Sequence, residues 1–249
     1  MKKLILLQFV LAVILASCEK SPKAYFSATP GDPVVGELVE FTNNSQNAGS
    51  FEWDFGDGYI SNEVHPSHVY TASGSFEVFL KAYSGNGGSD QASLVINVKI
   101  PTLLEIEVLE YYEEYPVEDA SVRLYTSLND WDNETNLVNE GFTDADGKVV
   151  FADLENMVYY ADVWEATHDN YSLRDEDVGF IRTPEITPNK INRFIAYVDY
   201  VDHGKSAGRR SGDLIIRKIE RKAIDKRQPE PSSDEGGWKL LYEKSVRSK

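Results

Sequence analysis

The chain has 249 residues, 41% of them apolar, and a formal net charge of -16. That length exceeds one modest domain, the apolar content is enough for packed cores, and so acidic a balance disfavours nucleic acid and anionic surfaces as partners. There is one cysteine, Cys18, so no intrachain disulfide can form.

At the N-terminus, Lys2 and Lys3 precede an apolar run from Leu4 to Leu15 broken only by Gln8. The run is too short to span a bilayer comfortably, and it ends in Leu15-Ala16-Ser17-Cys18. Charge, apolar run, small residues and cysteine in that order resemble a bacterial lipoprotein signal peptide with its lipobox. The resemblance implies that residues 1–17 are removed and that residues 18–21 form a lipidated N-terminus. Cys18 is then the lipid-attachment site, its thiolate being the good nucleophile among side chains. The expected location is the cell envelope, lipid-anchored at the outer membrane; an uncleaved anchor helix, or an ordinary signal peptide with an incidental cysteine, is the alternative. Export also makes nucleic acid an improbable partner.

Residues 22–100 read as a small all-β domain. Short alternating runs (Val39/Phe41, Phe51/Trp53/Phe55, Phe76/Val78/Leu80, Leu94/Ile96/Val98) are separated by turn clusters such as Gly56-Asp57-Gly58 and Ser84-Gly85-Asn86-Gly87-Gly88. Strands this short, about ten residues apart, indicate an immunoglobulin-like sandwich. The hexapeptide Trp53-Asp54-Phe55-Gly56-Asp57-Gly58, with His68-Val69-Tyr70 and Phe76-Glu77-Val78, resembles the polycystic-kidney-disease (PKD) domain. The residues themselves argue for a structural role. Trp53 shares a strand face with Phe51 and Phe55, Gly56 and Gly58 permit positive φ, and Asp57 can cap the turn. His68 and Tyr70, two apart, share a face. Calcium at Asp54 and Asp57, or a metal at His65 and His68, are sharper readings, but two carboxylates or two imidazoles fall short of a ligand set. No metal or other cofactor is expected.

Beyond Pro101, residues 101–201 show a second set of strands and are expected to form a second antiparallel sandwich. Leu104-Glu105-Ile106-Glu107-Val108-Leu109 alternates, although both faces are fairly apolar. Pro116-Val117 and Ala120, then Thr143-Asp144 with Gly147 and Phe151, then Tyr159-Tyr160 with Val163, resemble the transthyretin-like (prealbumin) modules grouped with carboxypeptidase regulatory-like and collagen-adhesin B-type domains. Some of those relatives carry a lysine–asparagine isopeptide bond; here only Lys99, just upstream, and Asn192 offer themselves. The insertion from Ser127 to Asn139 has the marks of a short helix capped by Ser127 or Asn129, with Trp131 as a packed anchor. Asp144-Ala145-Asp146-Gly147 reads as a β-turn, because calcium-loop register would put Phe142 at the first ligand position. His168-Asp169-Asn170-Tyr171 and Asp175-Glu176-Asp177 sit in a long acidic connection before Pro184 and Pro188, expected to be a solvated excursion, with a binding surface as the alternative.

From His203 onward, thirteen basic residues against seven acidic give a surplus of +6, leaving -22 for the rest. This basic tail, residues 202–249, begins as a Gly/Ser-rich linker that could reach phosphate or lipid headgroups. Leu214 to Arg227 and Trp238 to Tyr242 are expected as the two limbs of a hairpin. No catalytic constellation is visible: His-Glu-x-x-His, phosphate loop and dinucleotide fingerprint are missing, and the Gly-x-Ser-x-Gly match at Gly204-Lys205-Ser206-Ala207-Gly208 falls in the basic Gly/Ser-rich linker, not between an expected strand and helix. The fold class expected is all-β, two tandem sandwiches after the signal peptide. The role expected is a non-enzymatic envelope lipoprotein, with membrane contact through its lipid and envelope proteins or glycans as partners. A glycan-binding accessory of a polysaccharide-uptake system, presenting Trp131, Trp164, Tyr111 and Tyr112, is the rival, and a hydrolase with a hidden site a distant third.

Overall fold

A computed structural model describes residues 20–201, 228–232 and 237–247. Cys18, the basic linker and the Leu214–Arg227 limb lie outside those residues. The chain is all-β in character and divides into two compact units between Lys99 and Ile100. Among the described residues, no helix is long and apolar enough to cross a membrane.

The first unit contains β1 (Phe26–Thr29), β2 (Leu38–Asn43), β3 (Ser50–Asp54), β4 (Ile60–Ser61), β5 (Ser67–Val69), β6 (Gly74–Tyr83) and β7 (Ser89–Val98). They form two antiparallel sheets, ordered β1-β2-β5 and β4-β3-β6-β7. Alternation decides the facing: in β2, Val39 and Phe41 are buried while Glu40 between them is exposed. Trp53 is fully buried at the centre of the core, with Phe26 edge-on at 5.0 Å and Phe41 tilted at 5.8 Å. Its indole N–H donates to the Glu63 carbonyl at 2.9 Å, so the ring is buried without orphaning its one polar atom.

The second unit opens with β8 (Leu103–Glu110) and β9 (Ser121–Tyr125), followed by the short helix α1 (Leu128–Asn133). Next come β10 (Asn139–Phe142), β11 (Lys148–Ala152), β12 (Tyr160–Glu165) and β13 (His168–Asp169). A helical turn α2 (Tyr171–Arg174), a 3-10 turn at Val178–Phe180 and the long strand β14 (Ile191–Tyr200) lead to α3 (Trp238–Lys244) and β15 (Val246–Arg247). Strand order is β10-β9-β12-β13-β14-β8-β11-β15. Leu104, Ile106 and Val108 of β8 meet Val122 and Leu124 of β9, Val163 of β12 and Phe194 of β14 in a single core.

Not every pairing is antiparallel. β8 and β14 run parallel over eight residues, from Leu103 opposite Ile191 to Glu110 opposite Val198, and β15 runs parallel to β11. In β8, Leu104, Ile106, Val108 and Glu110 are buried on one face, while Glu105, Glu107 and Leu109 on the other are half-buried. The capped helix forms as its sequence indicates: Ser127 Oγ accepts the Asp130 amide at 3.1 Å, Glu134 ends it at φ 52°, and Trp131 is fully buried.

The hairpin expected in the tail is corrected for its second limb, which is α3. Trp238 and Tyr242, four residues apart, face one another at 6.3 Å, while Lys239 and Glu243 point outward. β15 then adds to the sheet, where Gly141 leaves it room: a Cβ there would lie 2.7 Å from Val149 and 2.9 Å from Val246.

The motif turn gives a direct test. Gly56 sits at φ +82°, and a Cβ on it would stand 2.6 Å from the Glu77 carbonyl oxygen; Gly58, at φ +93°, faces open space. Gly56→Ala is therefore expected to destabilise the first unit by about 3 kcal/mol, from strain plus clash, and Gly58→Ala by about 1 kcal/mol, from strain alone. Urea unfolding of the two variants checks the order; equal losses contradict it.

Candidate functional site

The hexapeptide turn is a closed set of bonds. Asp54 accepts the Gly56 amide at 2.9 Å, and one oxygen of Asp57 accepts the Tyr59 amide at 3.2 Å. The other oxygen of Asp57 meets His68 Nε2 at 2.7 Å. His68 lies flat on Phe55, with centroids 4.4 Å apart, and edge-on to Tyr70 at 4.7 Å. The Tyr70 hydroxyl donates to the Phe55 carbonyl at 3.2 Å. Burial, and next the Asp57 charge, push the Tyr70 phenol far above its ordinary range, so it remains a donor. Trp53 to Gly58, His68 and Tyr70 thus come together, and each polar group among them serves the turn. His65 is apart, its Nδ1 accepting the Asn43 amide at 3.1 Å. Among the described residues, no three His, Cys, Asp or Glu side chains converge as a metal would require.

A second polar cluster lies where β13 meets β14. His168, Asp169 and Asn170 are all buried, which corrects the expectation of a solvated excursion for these residues, while Asp175, Glu176 and Asp177 of the same connection are exposed. The reason is the backbone they serve. Asn170 donates to the Ala161 carbonyl at 2.8 Å and accepts the Val163 amide at 3.0 Å, and Asp169 caps the Tyr171 amide at 3.0 Å. His168 Nδ1 is 2.9 Å from Glu165, and its Nε2 is 2.8 Å from the Tyr115 hydroxyl. These contacts tie β13 to the connection between β8 and β9, more than fifty residues earlier.

A carboxylate, an imidazole and a hydroxyl in line have the look of a relay, but the electrostatics oppose nucleophile activation. Burial, then the charges of Glu110, Glu113 and Glu165, raise the Tyr115 phenol above its usual value. A nucleophile activated through a lowered pKa would need the reverse. Burial raises Glu165 too, but hydrogen bonds from His168 and Thr167 outweigh it and hold the carboxyl below its usual range. The arrangement is a clamp. Asp199 sits opposite Asp169 across β13 and β14, and burial first, then Glu110 and Asp169, raise its carboxyl.

The remaining candidates are dispersed. Trp131 is an anchor, stacked on Tyr171 at 5.6 Å with the Arg174 guanidinium 5.7 Å from its ring, and Tyr111 is buried against Tyr197. Neither can serve in an exposed aromatic patch as expected. Trp164 is 37% exposed, and sequence reasoning missed its neighbour Phe142, which is 63% exposed. Both lie opposite Ser121 in register, so they share one sheet face. Asp144 accepts the amides of Asp146 and Lys148, each at 3.0 Å, as a β-turn does. The Asn192 carboxamide is engaged with the Leu103 and Thr187 carbonyls and the Thr187 amide, and Lys99 pairs with Asp32.

Comparison with known proteins places residues 21–100 in the family model described as PKD domain. Collagenase ColQ1 of Bacillus cereus is 41% identical over 58 residues, which is 23% of this chain and 6% of the collagenase. Collagenase ColA of Clostridium perfringens is 37% identical over 84 residues, 32% of this chain and 8% of that protein. Among solved structures, the PKD1 domain of the Vibrio cholerae metalloprotease PrtV is 35% identical, covering 32% of this chain and 98% of that domain at a TM-score of 0.29. The chain therefore spans less than a tenth of the collagenases it matches, and the residues of the family match lie in the first unit. That unit is a PKD domain with an immunoglobulin-like fold.

The Asp199 carboxyl yields a pH prediction. A carboxyl raised in the folded state costs stability as pH rises from its unfolded value through its folded one, and the cost persists above. Asp199→Asn keeps an acceptor for the Tyr200 amide and removes the charge. It is expected to unfold at higher urea than the parent at pH 7, the gap closing as pH falls towards 4. A constant gap across that range contradicts the assignment.

Proposed function

We propose that the chain is a non-enzymatic lipoprotein of the cell envelope, anchored through Cys18, most simply at the outer membrane. In it the PKD domain acts as a spacer, and the second, transthyretin-like unit is the contact module for envelope proteins or carbohydrate. One observation carries this reading: the polar side chains that could pass for catalytic groups, Asp54, Asp57 and His68 in the first unit and His168 and Glu165 in the second, are engaged in bonds that hold turns and strands. The mechanism is tethering. A lipid foot confines the contact surface to a membrane and raises its effective concentration for anything else held there, with no new contact required.

Two results test the reading. Cys18→Ser is expected to leave the membrane fraction under high salt and carbonate, where the parent stays; retention of the variant rules out a lipid anchor at that residue. Affinity capture with the lipid-free chain is expected to return envelope components.

Glycan binding is a second reading, favoured by Trp164 and Phe142 on one exposed face. They stand two strand spacings apart, about 10 Å, a span suited to stacking against sugar rings. On a glycan array the soluble chain is expected to bind saturably, and Trp164→Ala with Phe142→Ala to abolish the signal. A flat response from the parent removes this reading.

A further inference from the structure

Residues opposite one another in register share a sheet face, as do residues two apart in one strand. On the outer face of β10, β9 and β12, Phe142, Ser121 and Trp164 therefore form one row, and Glu140, Arg123 and Asp162 the next. The opposite face of the same strands carries Val122, Leu124, Ala161 and Val163 into the core. One step farther along the outer face, Tyr125 and Tyr160 pack with Trp131 of α1 and with Ile181, and Tyr125 is fully buried. The two rows thus end against a wall, in a recess.

The recess is aromatic at two corners and polar between them. Glu140 accepts the Ser121 hydroxyl at 2.9 Å and Arg123 Nε at 2.7 Å, and Glu134 stands 3.6 Å from another nitrogen of the guanidinium. Ser121 and Asp162 are buried, while Arg123 and Glu140 keep part of their side chains in solvent. A guanidinium donates through every nitrogen and a carboxylate accepts on both oxygens, so this pair can hold each other and still meet the hydroxyls of a ligand.

We infer that this recess takes a neutral oligosaccharide: Trp164 and Phe142 stack on its sugar rings, while Arg123 and Glu140 select it by its hydroxyls. The inference rests on the glycan reading above and names the ligand class and the residues that set it. An apolar peptide laid between the aromatics would cover Arg123 and Glu140 without replacing the water they lose. An anionic ligand, a uronate or sulfated sugar included, would meet one guanidinium among the carboxylates of Glu134, Glu140 and Asp162, a local surplus of negative charge. A neutral sugar meets neither obstacle. Its ring has an apolar face for the aromatics, and its hydroxyls both donate to Glu140 and accept from Arg123. The span of about 10 Å between Trp164 and Phe142 exceeds one ring, so the ligand has more than one sugar.

Calorimetric titration of the lipid-free chain with cellohexaose, maltohexaose, mannohexaose and xylohexaose, and with hexagalacturonate as the acidic comparison, tests this. At least one neutral sugar is expected to bind saturably, and the acid about tenfold more weakly or not at all. Glu140→Gln is expected to weaken the neutral sugar about tenfold and to narrow its margin over the acid, with circular dichroism unchanged. Arg123→Lys keeps the charge but not the fork; it is expected to weaken the same sugar, and it serves where Glu140→Gln disturbs the fold. Glu63→Gln, the same change of charge in the first unit, is expected to alter neither affinity. No binding by any neutral sugar overturns both this inference and the glycan reading. Neutral binding that Trp164→Ala with Phe142→Ala abolishes, but that Glu140→Gln and Arg123→Lys leave intact, keeps that reading and overturns this inference. So does hexagalacturonate bound as tightly as the neutral sugar. Binding that survives the double alanine variant overturns both.

Discussion

Neither unit can be held by an intrachain disulfide. The single thiol of the chain stands at position 18, before the first strand, so stability must come from burial and hydrogen bonding alone. Each unit answers this with one dominant arrangement. In the first, the aromatic set around Trp53 fills the space between two sheets, where a large buried side chain contributes about 1.5–3 kcal/mol relative to exposure. In the second, the parallel ladder of β8 and β14 joins the start of the unit to its end over eight residues.

That ladder also explains where the polar chemistry of the second unit lies. Asn192 sits at its beginning and stitches the Thr187 loop to Leu103; Glu110 and Asp199 gather at its far end beside the His168 clamp. Polar side chains there satisfy backbone groups and strand ends that would otherwise be buried without partners. Titratable residues in line are therefore not a reaction site by virtue of being in line. Here the Tyr115 phenol is raised by burial and by the charges of Glu110, Glu113 and Glu165.

The first unit was the most legible part of the sequence, because its signals are local. Alternation in Val39-Glu40-Phe41 and the glycines beside Asp57 act within a few residues, and they produce the strands and turn expected of them. The parallel ladder was not legible, since pairing between residues some ninety positions apart leaves no short-range mark. The run His168-Asp169-Asn170 looked solvated because polarity was all the sequence showed; its partners, Tyr115 and the backbone of Ala161 and Val163, are supplied by the fold. Trp238 to Tyr242 suits a strand or a helix equally at five residues, and the pairing of Trp238 with Tyr242 decides for the helix. Trp131 followed its sequence signals, cap and anchor both.

The two units form a scaffold whose polar groups hold it together, and the proposed function rests on where that scaffold is held. The chemistry at Cys18 is the central claim, and intact mass and peptide mapping of the protein purified from membranes address it directly. The account predicts an N-terminal peptide that begins at Cys18 and carries the added mass of a diacylglyceryl group and an N-acyl chain. An N-terminus elsewhere, or a free thiol at Cys18 in the mature protein, contradicts it.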